Sequence, residues 1–221
     1  LMGARPGSDE RRAGGAGPAS GQLMGGAGKR QFLFGLGVGL ATLGLMLVIG
    51  LVTGIYEIAV TPDRAKLWRT VLSFIPAALL VGLLEECVFR GFLLQQLMRA
   101  CATPLAVAVS SALYALVHLR DSSWTAATYR ELWGLFLLGG VLALSYLRTR
   151  QLYLAIGLHA ALAYGARVNK LVLQIPDVSL SWLTGTSRLI NGVAGWIVLL
   201  GLGGLLVWWT RPSRTGEGRR F

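Results

Sequence analysis

The sequence predicts an all-α fold, a polytopic transmembrane helical bundle of about six spans, and three observations carry that expectation. Hydrophobic residues make up 54% of the 221-residue chain and charged residues only 14%, where a soluble domain averages about 25% charged. Phe32 to Tyr56 runs without one Asp, Glu, Lys, Arg or His, and a helix crosses a bilayer with roughly 20 apolar residues. Further apolar runs follow at Val71–Leu84 continuing through Gly91–Met98, then Pro104–Leu119, Leu132–Leu147, Leu152–Ala166 and Leu189–Trp209. About six spans, or five with one re-entrant piece, account for these runs.

Residues 1–30 hold nine glycines and five alanines among scattered charges, a composition that predicts a disordered tail. No apolar stretch precedes Phe32, so no signal peptide is expected within that tail. Leu rather than Met at position 1 leaves open that the chain is a fragment. The domain reading is then a tail over 1–30, a transmembrane helical domain over 31–210 with its chemistry in 68–168, and a basic cytoplasmic tail over 211–221. In the first span Gly35 and Gly39 lie four apart, a spacing that lets helices pack closely. Their likeness to a dinucleotide loop is superficial, because no strand precedes them.

Leu67–Arg99, if wholly helical, is roughly 50 Å long and must tilt, project or bend, with Pro76 the natural kink. A turn at Ala100–Thr103 leads to Pro104, suited to the first turn of a new helix. Arg130–Leu147 and Leu152–Val168 read as a hairpin about Arg148-Thr149-Arg150. Asn169–Thr186 reads as a polar loop before the last span. Cys87 and Cys101 lack metal-ligand spacing and read as small buried or interfacial thiols.

The net charge of +11 does not point to nucleic acid, because the basic residues sit at segment ends and in the tails. Lys29, Arg30, Arg99, Arg148 and Arg150 fall on one side together with the C-terminal arginines. That bias predicts both termini in the cytoplasm and the lipid bilayer as the partner. The Gly/Ala/Arg-rich composition leans towards a bacterial inner (plasma) membrane.

Both histidines of the chain, His118 and His159, lie inside apolar segments, as does the hexapeptide Glu85-Glu86-Cys87-Val88-Phe89-Arg90. Ionisable groups within a membrane are costly and mark function by default. On a helix Glu86 and Arg90 share a face and pair, which reads as a structural brace. Glu85, about 100° round the helix, has no basic partner at three or four residues and is the candidate general base. Glu85 lies 14 residues before Arg99, and His118 lies 14 residues after Pro104. In an antiparallel hairpin both then sit about 21 Å from the turn, at one depth. His159 falls somewhat shallower, roughly 14 Å in from Arg150 by the same rise. Glu85, His118 and His159 are therefore the candidate catalytic residues, able together to activate water or bind a divalent metal.

These residues resemble the CAAX protease and bacteriocin-processing (CPBP, or Abi) family of intramembrane proteases, whose motifs are EExxxR, FxxxH and HxxxN or HxxxD. The first is intact here at Glu85–Arg90. The second reads Tyr114-Ala115-Leu116-Val117-His118, with Tyr for the usual Phe. The third reads His159-Ala160-Ala161-Leu162-Ala163, with Ala163 for the final Asn or Asp. The resemblance implies a helical bundle around a water-accessible cavity, an intramembrane endopeptidase, and hydrolysis of a peptide or protein substrate by a Glu-activated water. His118 and His159 would orient water, substrate or metal. Two His and one Glu also form a familiar catalytic zinc set, so a metalloprotease holding zinc on Glu85, His118 and His159 is part of the expectation. Ala163, on the face of His159, removes a donor whose loss costs about 10²–10³ in rate. The competing expectation is therefore a catalytically weak or inactive member acting as a membrane scaffold. A proton-relay transporter is a third reading, weakened by the absence of an inverted repeat.

Overall fold

The computed structural model describes residues 25–119, 124–175, 178–185 and 190–210. Most of the expected N-terminal tail and all of residues 211–221 lie outside the described residues, as do Arg120 and Arg188. The fold is all-α apart from one two-residue ladder.

Helix α1 (Gly26–Val52) begins inside the stretch expected to be tail. The reason is tertiary: Gly28 is buried against the ring of Tyr153, so that glycine-rich start is docked rather than solvated. After β1 (Glu57–Ile58), Asp63 caps α2 (Arg64–Glu86) by accepting from the backbone N–H of Lys66 at 2.8 Å. Helix α2 continues through Pro76. The departure from α-helical hydrogen bonding comes later, in a π-helical segment at Cys87–Leu93, before α3 (Leu94–Ala100) completes the rod.

Pro104 does sit in the first turn of α4 (Thr103–Val117). Thr125 caps α5 (Ala126–Thr149), which ends where Arg150 turns left-handed at φ 56°. Helix α6 (Tyr153–Val172) runs past Val168, where the sequence suggested an end. Its C-terminus is extended by pairing: Leu173–Gln174 (β2) lies antiparallel to β1, and the carbonyls of Leu171 and Val172 accept from Thr61 and Ala59. The polar loop is thereby shortened and partly ordered, with a 3₁₀ turn at Val178–Leu180 and the short α7 (Ser181–Thr184) before α8 (Val193–Trp209).

The expectation of about six spans is met in part. Among the described residues three helical stretches are long and apolar enough to cross a membrane: Gly26–Val52, Arg64–Ala100 and Ala126–Thr149. Helices α4 and α8 are apolar but short, at about 22 and 26 Å against a hydrocarbon core of about 30 Å. Helix α6 carries His159, Arg167 and Lys170 and compensates by being central, with Leu154 through Leu162 buried without a break. Gly35 closes against the Leu154 carbonyl, Gly157 against the Phe32 carbonyl and Gly39 against the Ala161 methyl, so α1 and α6 meet nearly backbone to backbone. Gly82 does the same for α2: a Cβ there would lie 3.1 Å from the Ile156 carbonyl oxygen. The close-packing expectation for Gly35 and Gly39 rests on this contact. Large apolar side chains such as Leu33, Leu45, Leu72, Phe92 and Ile197 point outward, an arrangement suited to lipid rather than water.

Candidate active site

The deepest part of the site is built around Glu86, in the last turn of α2 and wholly buried. Its Oε1 accepts from Arg90 Nη1 at 2.9 Å and from His159 Nδ1 at 2.7 Å. Arg90, equally buried, donates its Nη2 to the Gly139 carbonyl on α5 at 2.9 Å. Gly139 permits this, because a Cβ there would lie 3.0 Å from Ser111 Cα on α4. The pairing of Glu86 with Arg90 follows from their spacing. The bonds to His159 and Gly139, 73 and 49 residues away, do not, and the Gly139-Gly140 pair on α5 is the only local sign of them.

Glu85 sits on the open side, with 27% of its side chain exposed. Its Oε2 lies 3.3 Å from His118 Nε2 and 3.7 Å from His159 Nε2. The structure thus brings together Glu85, His118 and His159, and it places Glu86 and Arg90 beneath them. The 14-residue offsets from the α3–α4 turn do bring Glu85 and His118 to one depth. His118 is the C-cap of α4, and its Nδ1 donates to the Tyr114 carbonyl at 2.8 Å. A single imidazole, His159, meets both carboxylates despite their 100° separation, because its two nitrogens lie on opposite edges of the ring.

The ring orientations fix where protons sit. Each Nδ1 faces a group that only accepts, a carbonyl for His118 and a carboxylate for His159, so each Nδ1 carries the hydrogen. Each imidazole then turns its Nε2 edge towards the Glu85 carboxylate. The three atoms line the open side of the site, where a water can bind beside them. Among the described residues no group of three or more His, Cys, Asp or Glu side chains stands out as an ion-holding set. Nothing here supports the metalloprotease expectation.

Tyr114 was singled out in the sequence only as a departure from Phe. Its ring is fully buried and its hydroxyl lies 3.4 Å from His159 Nε2. Tyr164, next to Ala163, is committed elsewhere, donating to the Val71 carbonyl at 3.2 Å. Asn169 lies in the last turn of α6, away from the site. Cys87 is exposed rather than buried, and Cys101 donates to the Leu97 carbonyl at the end of α3.

Residues 67–164 match the family model described as type II CAAX prenyl endopeptidase Rce1-like. The match is consistent with the resemblance to the CPBP family. The matched segment spans α2 to α6 and contains every residue of the cluster. No curated protein matches the chain, and no solved structure does. The matched family is a protease family, and among the described residues three helices are long and apolar enough to cross a membrane.

Proposed function

We propose that the protein is an intramembrane endopeptidase that hydrolyses a peptide bond with water activated by Glu85. The observation that carries this reading is the convergence of Glu85 Oε2 with Nε2 of both histidines, within 3.3 and 3.7 Å. A water held there donates one hydrogen to Glu85 and the other to an Nε2, leaving its lone pair for the substrate carbonyl. Glu85 takes the proton as the oxygen–carbon bond forms, then returns it to the leaving amine nitrogen as the C–N bond breaks. General-base assistance of this kind is worth about 10²–10⁴. The Glu86–Arg90–Gly139 brace holds His159 by its Nδ1 and so keeps the Nε2 edge turned towards Glu85. The substrate is a peptide or protein presented within the bilayer, and both termini face the cytoplasm of a bacterial inner membrane.

Ala163 favours a second reading, a scaffold with little or no turnover. Turnover of a peptide library by purified protein in detergent separates the two. The protease reading expects cleavage by the native chain and none by Glu85→Gln, with a chelator arm that separates a metal-assisted rate from a metal-free one. Equal background in native and Glu85→Gln, with a substrate another family member cleaves, supports the scaffold. A rate abolished by chelator and restored by zinc assigns Glu85, His118 and His159 as ion ligands, and a rate that chelator leaves unchanged assigns them to water alone.

A further inference from the structure

We infer that the Tyr114 hydroxyl supplies the transition-state donor that position 163 lacks, so that two departures from the family motifs compensate one another in this chain. The inference rests on the protease reading above. Three observations point to it.

The Tyr114 ring is held on several sides. The Arg90 guanidinium carbon lies 4.9 Å from its centroid, Phe89 packs edge-on at 5.2 Å, and His118 lies at 4.5 Å. A ring so fixed presents its hydroxyl in one place, and a donor that need not reorganise is what stabilises developing charge. That hydroxyl points at His159 Nε2, the same nitrogen that faces Glu85.

The bond it makes there is also long, at 3.4 Å, and such bonds in a substrate-free site tighten or exchange when a better acceptor arrives. The oxygen of an attacked carbonyl, charged in the tetrahedral intermediate, is a better acceptor than an imidazole nitrogen. It forms beside the Glu85-bound water, next to Tyr114. The hydroxyl donates a hydrogen bond to it and keeps its proton.

Finally, the hydroxyl next to Ala163 in sequence is committed elsewhere. Tyr164 is bonded to Val71 on α2, and Ala163 has no polar atom. An Asn at 163 would project from α6 on the face of His159, one turn away. The two positions therefore serve one region from different helices.

Tyr114→Phe tests this, since it removes one oxygen and leaves the ring. Rates of native, Tyr114→Phe, Ala163→Asn, the double variant and Glu85→Gln are measured on one cleavable peptide, with thermal unfolding of each in the same detergent. The expected result is a fall in kcat of about 10²–10³ for Tyr114→Phe at little changed KM, on the scale of one lost oxyanion donor. Ala163→Asn should restore much of that loss in the double variant while accelerating the native chain far less. A Tyr114→Phe rate close to native overturns the inference, as does a fall that Ala163→Asn leaves unrepaired. A native chain that is silent until Ala163→Asn is introduced overturns it too. Failure of the protease reading looks different: turnover that Glu85→Gln does not change.

Discussion

Glu85 and Glu86 are neighbours in sequence and opposites in surroundings. Glu86 has no exposed surface and two donors on one oxygen at 2.9 and 2.7 Å. Glu85 is about a quarter exposed and meets its histidines at looser distances of 3.3 and 3.7 Å. Glu86 is sealed in and held through one oxygen by an arginine and an imidazole, whereas Glu85 keeps an open side beside two imidazoles. Adjacent positions on a helix, differing by one step of rotation, thus receive a buried and a partly open setting.

The sharpest break in that contrast is Glu85→Gln. Peptide turnover should fall by about 10²–10⁴ with the unfolding midpoint in detergent little changed. Next comes Glu86→Gln, which leaves Arg90 buried without a counter-charge and should cost roughly 3–5 kcal/mol, read as lost accumulation in the membrane. Glu86→Gln combined with Arg90→Met should recover part of that stability, because removing both charges is far cheaper than orphaning one. If Glu86→Gln accumulates normally and alone abolishes turnover, the roles of the two carboxylates are reversed.

A smaller effect is expected from Gly139→Ala. The added methyl would press on Ser111 and shift the carbonyl that Arg90 uses, at a cost of about 1–3 kcal/mol. Its signature should be lowered stability with a modest loss of rate. Least of all, Tyr164→Phe should cost about 0.5–1.5 kcal/mol, the worth of one hydrogen bond, with no change in turnover. A large rate loss there would mean that Tyr164 leaves Val71 to serve the reaction.

Local rules reached a long way into this fold. The glycine spacing at Gly35 and Gly39 gave a close helix contact without saying that α6 receives it, and Pro104 and Arg150 mark real helix boundaries. Equal offsets from one turn brought Glu85 to His118, because a short hairpin fixes relative depth by helical rise alone. Where partners are remote, the pattern falls silent. Nothing near His159 shows that its Nδ1 meets Glu86, since that bond depends on how α6 is rotated against α2. Pro76 looked like the place for irregular backbone, yet the irregularity lies at Cys87–Leu93, where no residue type demands it. The extension of α6 to Val172 depends on a ladder to residues more than a hundred positions earlier. Periodicity within one segment carries no record of such contacts.

The π-helical turn itself has a consequence for how this chain tolerates length changes. Such turns interrupt α-helices as local widenings, often at functional sites, and this one starts directly after Glu86 and contains Arg90. Deleting one residue within Cys87–Leu93 would remove the extra residue of the widened turn and keep the far end in phase, whereas reverting to regular α-helix at unchanged length would turn everything beyond it by about 100°. Leu94, buried among Ala106 and Ala143, would swing out of its socket while the two glutamates stayed in place. The widened turn works as a phase corrector: it lets the carboxylates face α6 at one end of the rod while the other end keeps its grip on α4.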